Sequence, residues 1–274
     1  MIISNWKAKL GLLTAASLAA ALPSVASSPA QADADRAAAQ IRAHMSFLAN
    51  DLLQGREAGS DGYQIAAEYV ASHLAQFGAR PAGDNGTYFQ TVPLLAYRPA
   101  EHGSVVLRKK SGGTEAIEFG KDFLPGRHPG LPEVSLDVPA VFVGFGVVAP
   151  ERGRDDYKGL DVRDKIVVVL SGAPSGIPPE ERAYYGSGGT KRIEAARRGA
   201  KGMVIVYTPS DEKRRPFESS VKQWQAWGMS WQQKDGTAHD VAPQTPLLAT
   251  ISAAGAPKLF AGARASWDRI VADA

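Results

Sequence analysis

Five histidines, His44, His73, His102, His128 and His239, are the imidazole donors of this 274-residue chain, and it has no cysteine to join them at a metal. Zinc sites of that kind are built from closely spaced pairs such as His-Glu-x-x-His on one helix face or His-x-Asp, and neither occurs. His239 and Asp240 are adjacent, which points them to opposite sides of an extended strand. His44 and His73 read as surface or helix-packing residues, and His102, His128 and His239 fall in loop contexts. No metal ligand and no catalytic residue is assigned. Gly186-Ser-Gly-Gly-Thr-Lys191, ahead of a helix, could hold an anion on its amides, but it lacks the P-loop spacing and an immediately preceding strand. Serine catalysis lacks its Gly-x-Ser-x-Gly elbow. What remains are binding residues. Arg56 lies between Gly55 and Ser60 with only Glu57 as an acidic neighbour, so its partner is expected elsewhere. Trp224, Trp227 and Trp231 recur at i, i+3 and i+7, which on a helix gives one face, either packed inward or lining a substrate path or domain interface.

The elements that must position these residues follow from periodicity. Ile41, Met45, Leu48 and Leu52 share one face of a helix spanning residues 35 to 54, ended by Gly55. A second helix starts at Ser60, a good N-cap, and carries Ala67, Val70, Leu74 and Phe77 on one stripe up to Gly78. Strands are expected from Tyr88 to Leu94, Ser104 to Arg108 and Glu115 to Phe119, the last two joined at Ser111-Gly-Gly113. The Pro- and Gly-rich run from Phe123 to Asp137 reads as a domain boundary. A strand over residues 138 to 148 bends at Gly144 and Gly146. Ile166-Val-Val-Val-Leu170 reads as a strand buried on both faces, followed by a helix capped by Thr190 and stopped at Gly199, then Met203-Val-Ile-Val-Tyr207 as a second buried strand. This βαβ unit makes its strands parallel. Leu247 to Ile251 is a further strand, before a closing helical stretch.

Two stretches resemble a known family. Tyr157-Lys-Gly-Leu-Asp-Val-Arg-Asp-Lys-Ile-Val-Val-Val-Leu170, followed by Lys191-Arg-Ile-Glu-Ala-Ala-Arg-Arg-Gly-Ala-Lys-Gly-Met-Val-Ile-Val-Tyr207, resembles the protease-associated (PA) domain. The resemblance is closest to the PA domain inserted in di-zinc aminopeptidases related to bacterial leucyl aminopeptidase, glutamate carboxypeptidase and transferrin receptor. Leu53-Gln-Gly-Arg-Glu-Ala-Gly-Ser-Asp-Gly62, then Phe77-Gly-Ala-Arg-Pro-Ala-Gly-Asp84 and Tyr88-Phe89-Gln90, resembles the opening of the catalytic domain in the same enzymes. The resemblance implies two zinc ions held by His, Asp and Glu, with a bridging Asp and a Glu as general base. Such ligands converge at about 2.0 to 2.2 Å on a metal with an open position for water. In the family those motifs lie downstream of the PA insert, about where Ala274 ends this chain, so no zinc is expected in this chain alone.

Composition bounds the rest. At 44% hydrophobic and 22% charged the chain is globular, with room for two modest cores. Lys7 and Lys9 precede an apolar run from Leu10 to Leu22, and Ala30-Gln31-Ala32 offers a cleavage site, the pattern of a secretory signal peptide over residues 1 to 32. The run is shorter than a membrane span needs. Export without cysteine excludes disulfides and thiol redox chemistry. Setting Lys7 and Lys9 aside leaves 29 of the 31 Lys and Arg against 28 Asp and Glu. A nearly neutral protein does not call for nucleic acid or, after cleavage, for a membrane partner.

The fold class expected is α/β: residues 33 to 133 as the N-terminal portion of an α/β/α aminopeptidase catalytic domain, followed by a PA domain of mixed β with a βαβ unit over residues 134 to 274. The function expected is that of an N-terminal fragment of an exported (periplasmic or extracellular) aminopeptidase. The full enzyme would use two zinc ions on peptide substrates, with the PA domain as lid or access element. Arg56, Trp224, Trp227 and Trp231 would lie along substrate access. The alternative is a non-catalytic PA-domain binding or receptor-like module. A carbohydrate-binding β-module is motivated by the tryptophans alone.

Overall fold

A computed structural model describes residues 28–109 and 112–274, so the apolar run expected to form the signal peptide lies outside the described residues. The chain divides into two compact units, Met1–Gln90 and Thr91–Ala274. The boundary expected near residue 133 falls inside the second unit.

The first unit is built on two helices. Helix α1 (Pro29–Leu48) starts at Ser28, whose Oγ accepts from Gln31 N–H at 3.2 Å, so Ala30 and Ala32 of the expected cleavage site sit in its first turn. It stops at Leu48, not near Gly55. Asn50 Oδ1 takes Leu52 N–H at 2.9 Å and starts a separate 3-10 turn, Asp51–Leu53. The break rotates the apolar register: Leu53 is buried, while Leu52, expected on the packed face, is 86% exposed. Helix α2 (Asp61–Gln76) has the expected cap, with Ser60 Oγ accepting from Tyr63 N–H at 3.2 Å. Gly62 permits the close approach of the two segments, since a Cβ there would lie 1.8 Å from Leu53 O. The helices meet through Phe47 stacked on Tyr69 at 4.2 Å and His44 Nδ1 at 2.7 Å from Tyr69 Oη. His73 packs edge-on against His44 at 4.8 Å, so both histidines do helix-packing work.

The second unit runs through β1 (Leu94–Tyr97), β2 (Val105–Arg108), β3 (Thr114–Ile117), β4 (Phe123–Pro125), β5 (Ala140–Phe142), β6 (Val148–Ala149), β7 (Arg154–Asp155) and β8 (Ile166–Leu170). It continues with α3 (Pro179–Tyr185), α4 (Gly188–Arg197), β9 (Gly202–Val206), α5 (Pro209–Arg214), α6 (Phe217–Lys222), β10 (Gly228–Trp231), β11 (Leu247–Ile251), α7 (Ala256–Leu259) and α8 (Trp267–Asp273). The architecture is α/β. Its centre is a five-stranded sheet of order β4-β11-β9-β8-β5, parallel except for β4 at one edge. The expected βαβ unit is present: β8 and β9 are parallel, in register from Ile166 opposite Gly202 to Leu170 opposite Val206. Alternate residues of β8 serve two cores. Val168 and Leu170 join Phe123, Val206, Ile251, Phe260 and Trp267, and Val167 and Val169 join Val143, Tyr157, Ala195 and Met203. That two-sided burial is why the strand is an unbroken β-branched run.

Several local expectations are corrected. Strand β1 begins at Leu94, so residues 88 to 93 are not strand; Gly83 and Asp84 N–H groups instead donate to Thr87 O and Phe89 O at 2.7 and 2.6 Å. Helix α4 starts after Ser187, which leaves Thr190 inside it. The Pro- and Gly-rich segment after Phe123 is no linker. Its first residues form β4, and the buried Asp122 accepts from Glu118 N–H at 2.9 Å and pairs with Lys258. Asp122 O also accepts Ser252 N–H at 2.8 Å at the end of β11.

These ties fix the smallest part that should fold alone. Residues 91–274 are expected to unfold in one cooperative urea transition, whereas residues 138–274 lose the β4 edge and leave Lys258 and Ser252 without Asp122. Overlapping circular dichroism and fluorescence transitions test the first. A cooperative, equally stable 138–274 would refute the second.

Candidate functional site

The sequence assigned Arg56 and three tryptophans, and the second unit brings two of the tryptophans together. Strands β1 and β10 form a two-stranded antiparallel ribbon in which Leu94 faces Trp231 and Ala96 faces Met229. Alternation along the strands puts these four side chains on one face, and all are exposed. Arg98 and Trp227 extend the same face, with the guanidinium 4.5 Å from the indole centroid. The opposite face is closed by Tyr97, whose ring lies so close to Gly228 that a Cβ there would come within 2.9 Å. Trp227 and Trp231 therefore share a face through strand alternation rather than the helix expected from their spacing: α6 ends at Lys222. Trp224 is elsewhere, edge-on to Phe119 at 5.0 Å and packed with Leu124, Tyr207 and Phe217.

Arg56 belongs to the first unit. It lies in the loop between the 3-10 turn and α2, where Gln54, Gly55 and Arg56 all have positive φ (50°, 85° and 56°). Its guanidinium has no ion-pair partner among the described residues.

Beside β10 sits a buried ionic cluster that sequence reasoning missed. His239 stacks on Trp231 at 4.3 Å, and its N–H donates to Trp231 O at 2.9 Å. The next residue, Asp240, turns inward. Its carboxylate takes both oxygens to Arg192 Nη2, at 2.8 and 2.9 Å, while Arg192 also donates to Thr245 O and Ala242 O. His128 completes the group. Its Nδ1 accepts from Gly130 N–H at 3.1 Å, which leaves the proton of the neutral ring on Nε2, 2.7 Å from Asp240 Oδ2 but out of line for a full hydrogen bond. Arg127, one residue earlier, donates to Ala226 O at 2.8 Å and so pins the approach to Trp227. The segment carrying Arg127 and His128 thus braces the ribbon at both ends.

Burial drives the His128 pKa below the ordinary imidazole value of 6.5, and the Arg192 charge adds to this while Asp240 opposes it. Burial alone would raise Asp240, but the Arg192 hydrogen bond, the Ala242 N–H and the charges of Arg192 and His128 outweigh it and hold the carboxyl below 3.8. The adjacency of His239 and Asp240 was visible in the sequence. The ionic partners of Asp240, Arg192 at 48 residues away and His128 further still, were not.

Lys191, in the loop-and-helix segment weighed as an anion site, is 1% exposed. Its Nζ donates to Leu170 O at 2.6 Å and to Gly172 O, tying the helix to the end of β8. Burial lowers its pKa to about 8, against the charges of Asp156 and Asp211. It is an internal strut, and its ammonium does not face an anion in solvent.

Among the described residues no three His, Cys, Asp or Glu side chains gather as a metal-holding group. No described helix is long and apolar enough to cross a membrane.

No protein-family model matches the chain, and no curated protein matches it in sequence. Among solved structures it is similar to "Aminopeptidase from Aneurinibacillus sp. strain AM-1", at 18% identity and a TM-score of 0.39, over 81% of this chain and 40% of that one. The likeness is distant. The chain spans well under half the length of that aminopeptidase.

Two measurements probe the cluster and the strut. Because His128 holds its proton less tightly folded than unfolded, the unfolded chain binds more protons as pH falls below 6.5, and stability drops. His128→Gln should flatten the fall in urea midpoint between about pH 6.5 and pH 5, and parallel curves would exclude His128 as the source. Lys191→Ala should cost about 3 kcal/mol through a cavity and two unpaired carbonyls, with Lys191→Met costing less because it fills the space.

Proposed function

We propose that this chain is the N-terminal part of an exported zinc-dependent aminopeptidase. In this reading the first unit supplies the opening helices of an α/β/α catalytic domain, and the second is a PA domain that walls substrate access. The residues that hold two zinc ions and cut N-terminal peptide bonds would lie outside this chain, and peptide would be the substrate. The PA domain's part is shape, not bond chemistry.

The observation that carries the reading is the uncovered apolar surface of the first unit. Ile41, Met45 and Leu52 are 58%, 63% and 86% exposed, and Val70 and Phe77 on α2 are 49% and 77% exposed. None of the residues of α1 is buried. Helices patterned this way normally bury the stripe against a sheet or other helices. The Leu53 to Gly62 motif, with its close backbone packing, sits at the junction of these two helices. The binding-module alternative is favoured by one feature, the exposed Trp227 and Trp231 on the ribbon.

Two experiments separate the readings. The purified chain should hold no stoichiometric zinc and release no amine from leucine p-nitroanilide, and the polypeptide encoded beyond Ala274, added in trans, should bring both zinc and activity. A natural stop codon after Ala274, or tight zinc in the chain alone, would overturn the proposal. Met45→Glu should change the stability of this chain by less than about 0.5 kcal/mol, since the side chain is already exposed, yet block that reconstitution.

A further inference from the structure

The β1–β10 ribbon has one free edge, and the backbone groups on it can be assigned. Gln232 N–H donates to Pro93 O at 2.8 Å, which makes that a hydrogen-bonded pair and sets the alternation along the ribbon. Leu95 and Tyr97 then exchange hydrogen bonds with Ser230 and Gly228, while the N–H and C=O groups of Leu94 and Ala96 point away from β10. On the β10 side the equivalent group is used, because Trp231 O accepts from His239 N–H at 2.9 Å. On the β1 side no strand follows among the described residues, where this sheet consists of β1 and β10.

The edge adjoins an apolar surface with a cation at its end. Leu94, Met229, Trp231 and Trp227 are 44%, 39%, 45% and 55% exposed on the outward face. Arg98 makes no ion pair among the described residues and is held against Trp227 by its ring. Natural edge strands are normally blunted by charge, proline or a covering segment. Here Pro93 precedes the edge and Arg98 follows it, which leaves an open four-residue stretch between them.

We propose that the outer edge of β1 binds an extended peptide as a third strand, with apolar side chains against Leu94 and Ala96 and a carboxylate on Arg98. Unpaired N–H and C=O groups at strand spacing recognise another backbone, and alternate side chains supply specificity. A sugar would use the indole faces and leave this edge unfilled, and Arg98 and His239 already cover one face of each exposed indole. The inference does not depend on the peptidase reading.

The test uses the full chain and a fluorescein-labelled Thr-Val-Thr-Leu-Thr-Glu peptide, whose Val, Leu and Glu fall on one side of a strand. Saturable binding by fluorescence anisotropy is expected. Ala96→Pro, which removes an edge N–H not used within the ribbon, should weaken it by about tenfold or more. If that variant fails to fold, the same peptide N-methylated at alternate amides, in both phases, reads the edge on the unaltered protein: one phase should lose binding and the other keep it. Arg98→Gln should weaken the Glu-ended peptide by about tenfold and leave a Gln-ended peptide nearly unchanged. The proposal is overturned if no saturation occurs below about 1 mM, or if neither N-methylated phase loses affinity. It is equally overturned if sedimentation shows that a second copy of the chain fills the edge, or if a hexasaccharide such as cellohexaose binds there instead of the peptide.

Discussion

Strand β8 can present neither face to water, and the second unit is arranged to meet that constraint. Its five residues are apolar throughout, and Val167, Val168, Val169 and Leu170 are all buried. Each side chain of that size is worth roughly 1.5–3 kcal/mol when fully buried, so both faces need cover of their own. One is covered by α7, α8 and the Phe142, Phe260 and Trp267 rings, the other by α4 and the segment from Val143 to Val162. Lys191 ties α4 back to the strand it covers. A charged group is tolerated there because two carbonyls accept from it and the Phe145 ring lies 5.8 Å away.

The β1–β10 ribbon lies outside this sheet and cannot borrow its stability. A lone two-stranded ribbon is marginal in water. Its support comes from polar anchors instead: Arg127 on Ala226 O, Ser230 Oγ on His239 O at 2.6 Å, and the Asp240 carboxylate shared by Arg192 and His128. Asp240 is 5% exposed, so its charge persists only through its cationic and amide partners, and loss of one partner would leave an unpaired buried charge. These anchors tie the ribbon down while Leu94, Trp227, Met229 and Trp231 stay exposed.

The first unit shows the opposite condition. Its helix pair is held by a few specific contacts, Phe47 on Tyr69 and His44 against Tyr69 and His73, and most of its large apolar residues face outward. Good capping and propensity make the two helices, but caps do not bury stripes. Helices patterned this way normally bury their stripe, so apolar surface of this extent is unusual for a helix pair.

The sequence by itself determined the elements whose information is local. The β-branched run of β8, the Gly-Ala-x-Gly approach to β9, the Ser60 cap and the Gly112-Gly113 hairpin were legible because propensity, capping and positive φ act within a few residues. Tertiary structure decided the rest. Asn50 broke a helix whose apolar period ran on to Leu52, since a side-chain cap competes with the next helical turn. Phe123 to Pro125 became a sheet edge rather than a linker because β11, more than a hundred residues later, offered it a partner. Trp227 and Trp231, four apart, fit a helix face and a strand face equally well, and only the pairing of β10 with β1 chose between them. The His128, Arg192 and Asp240 cluster had no sequence signature at all, because its members come from three segments that the fold alone brings together.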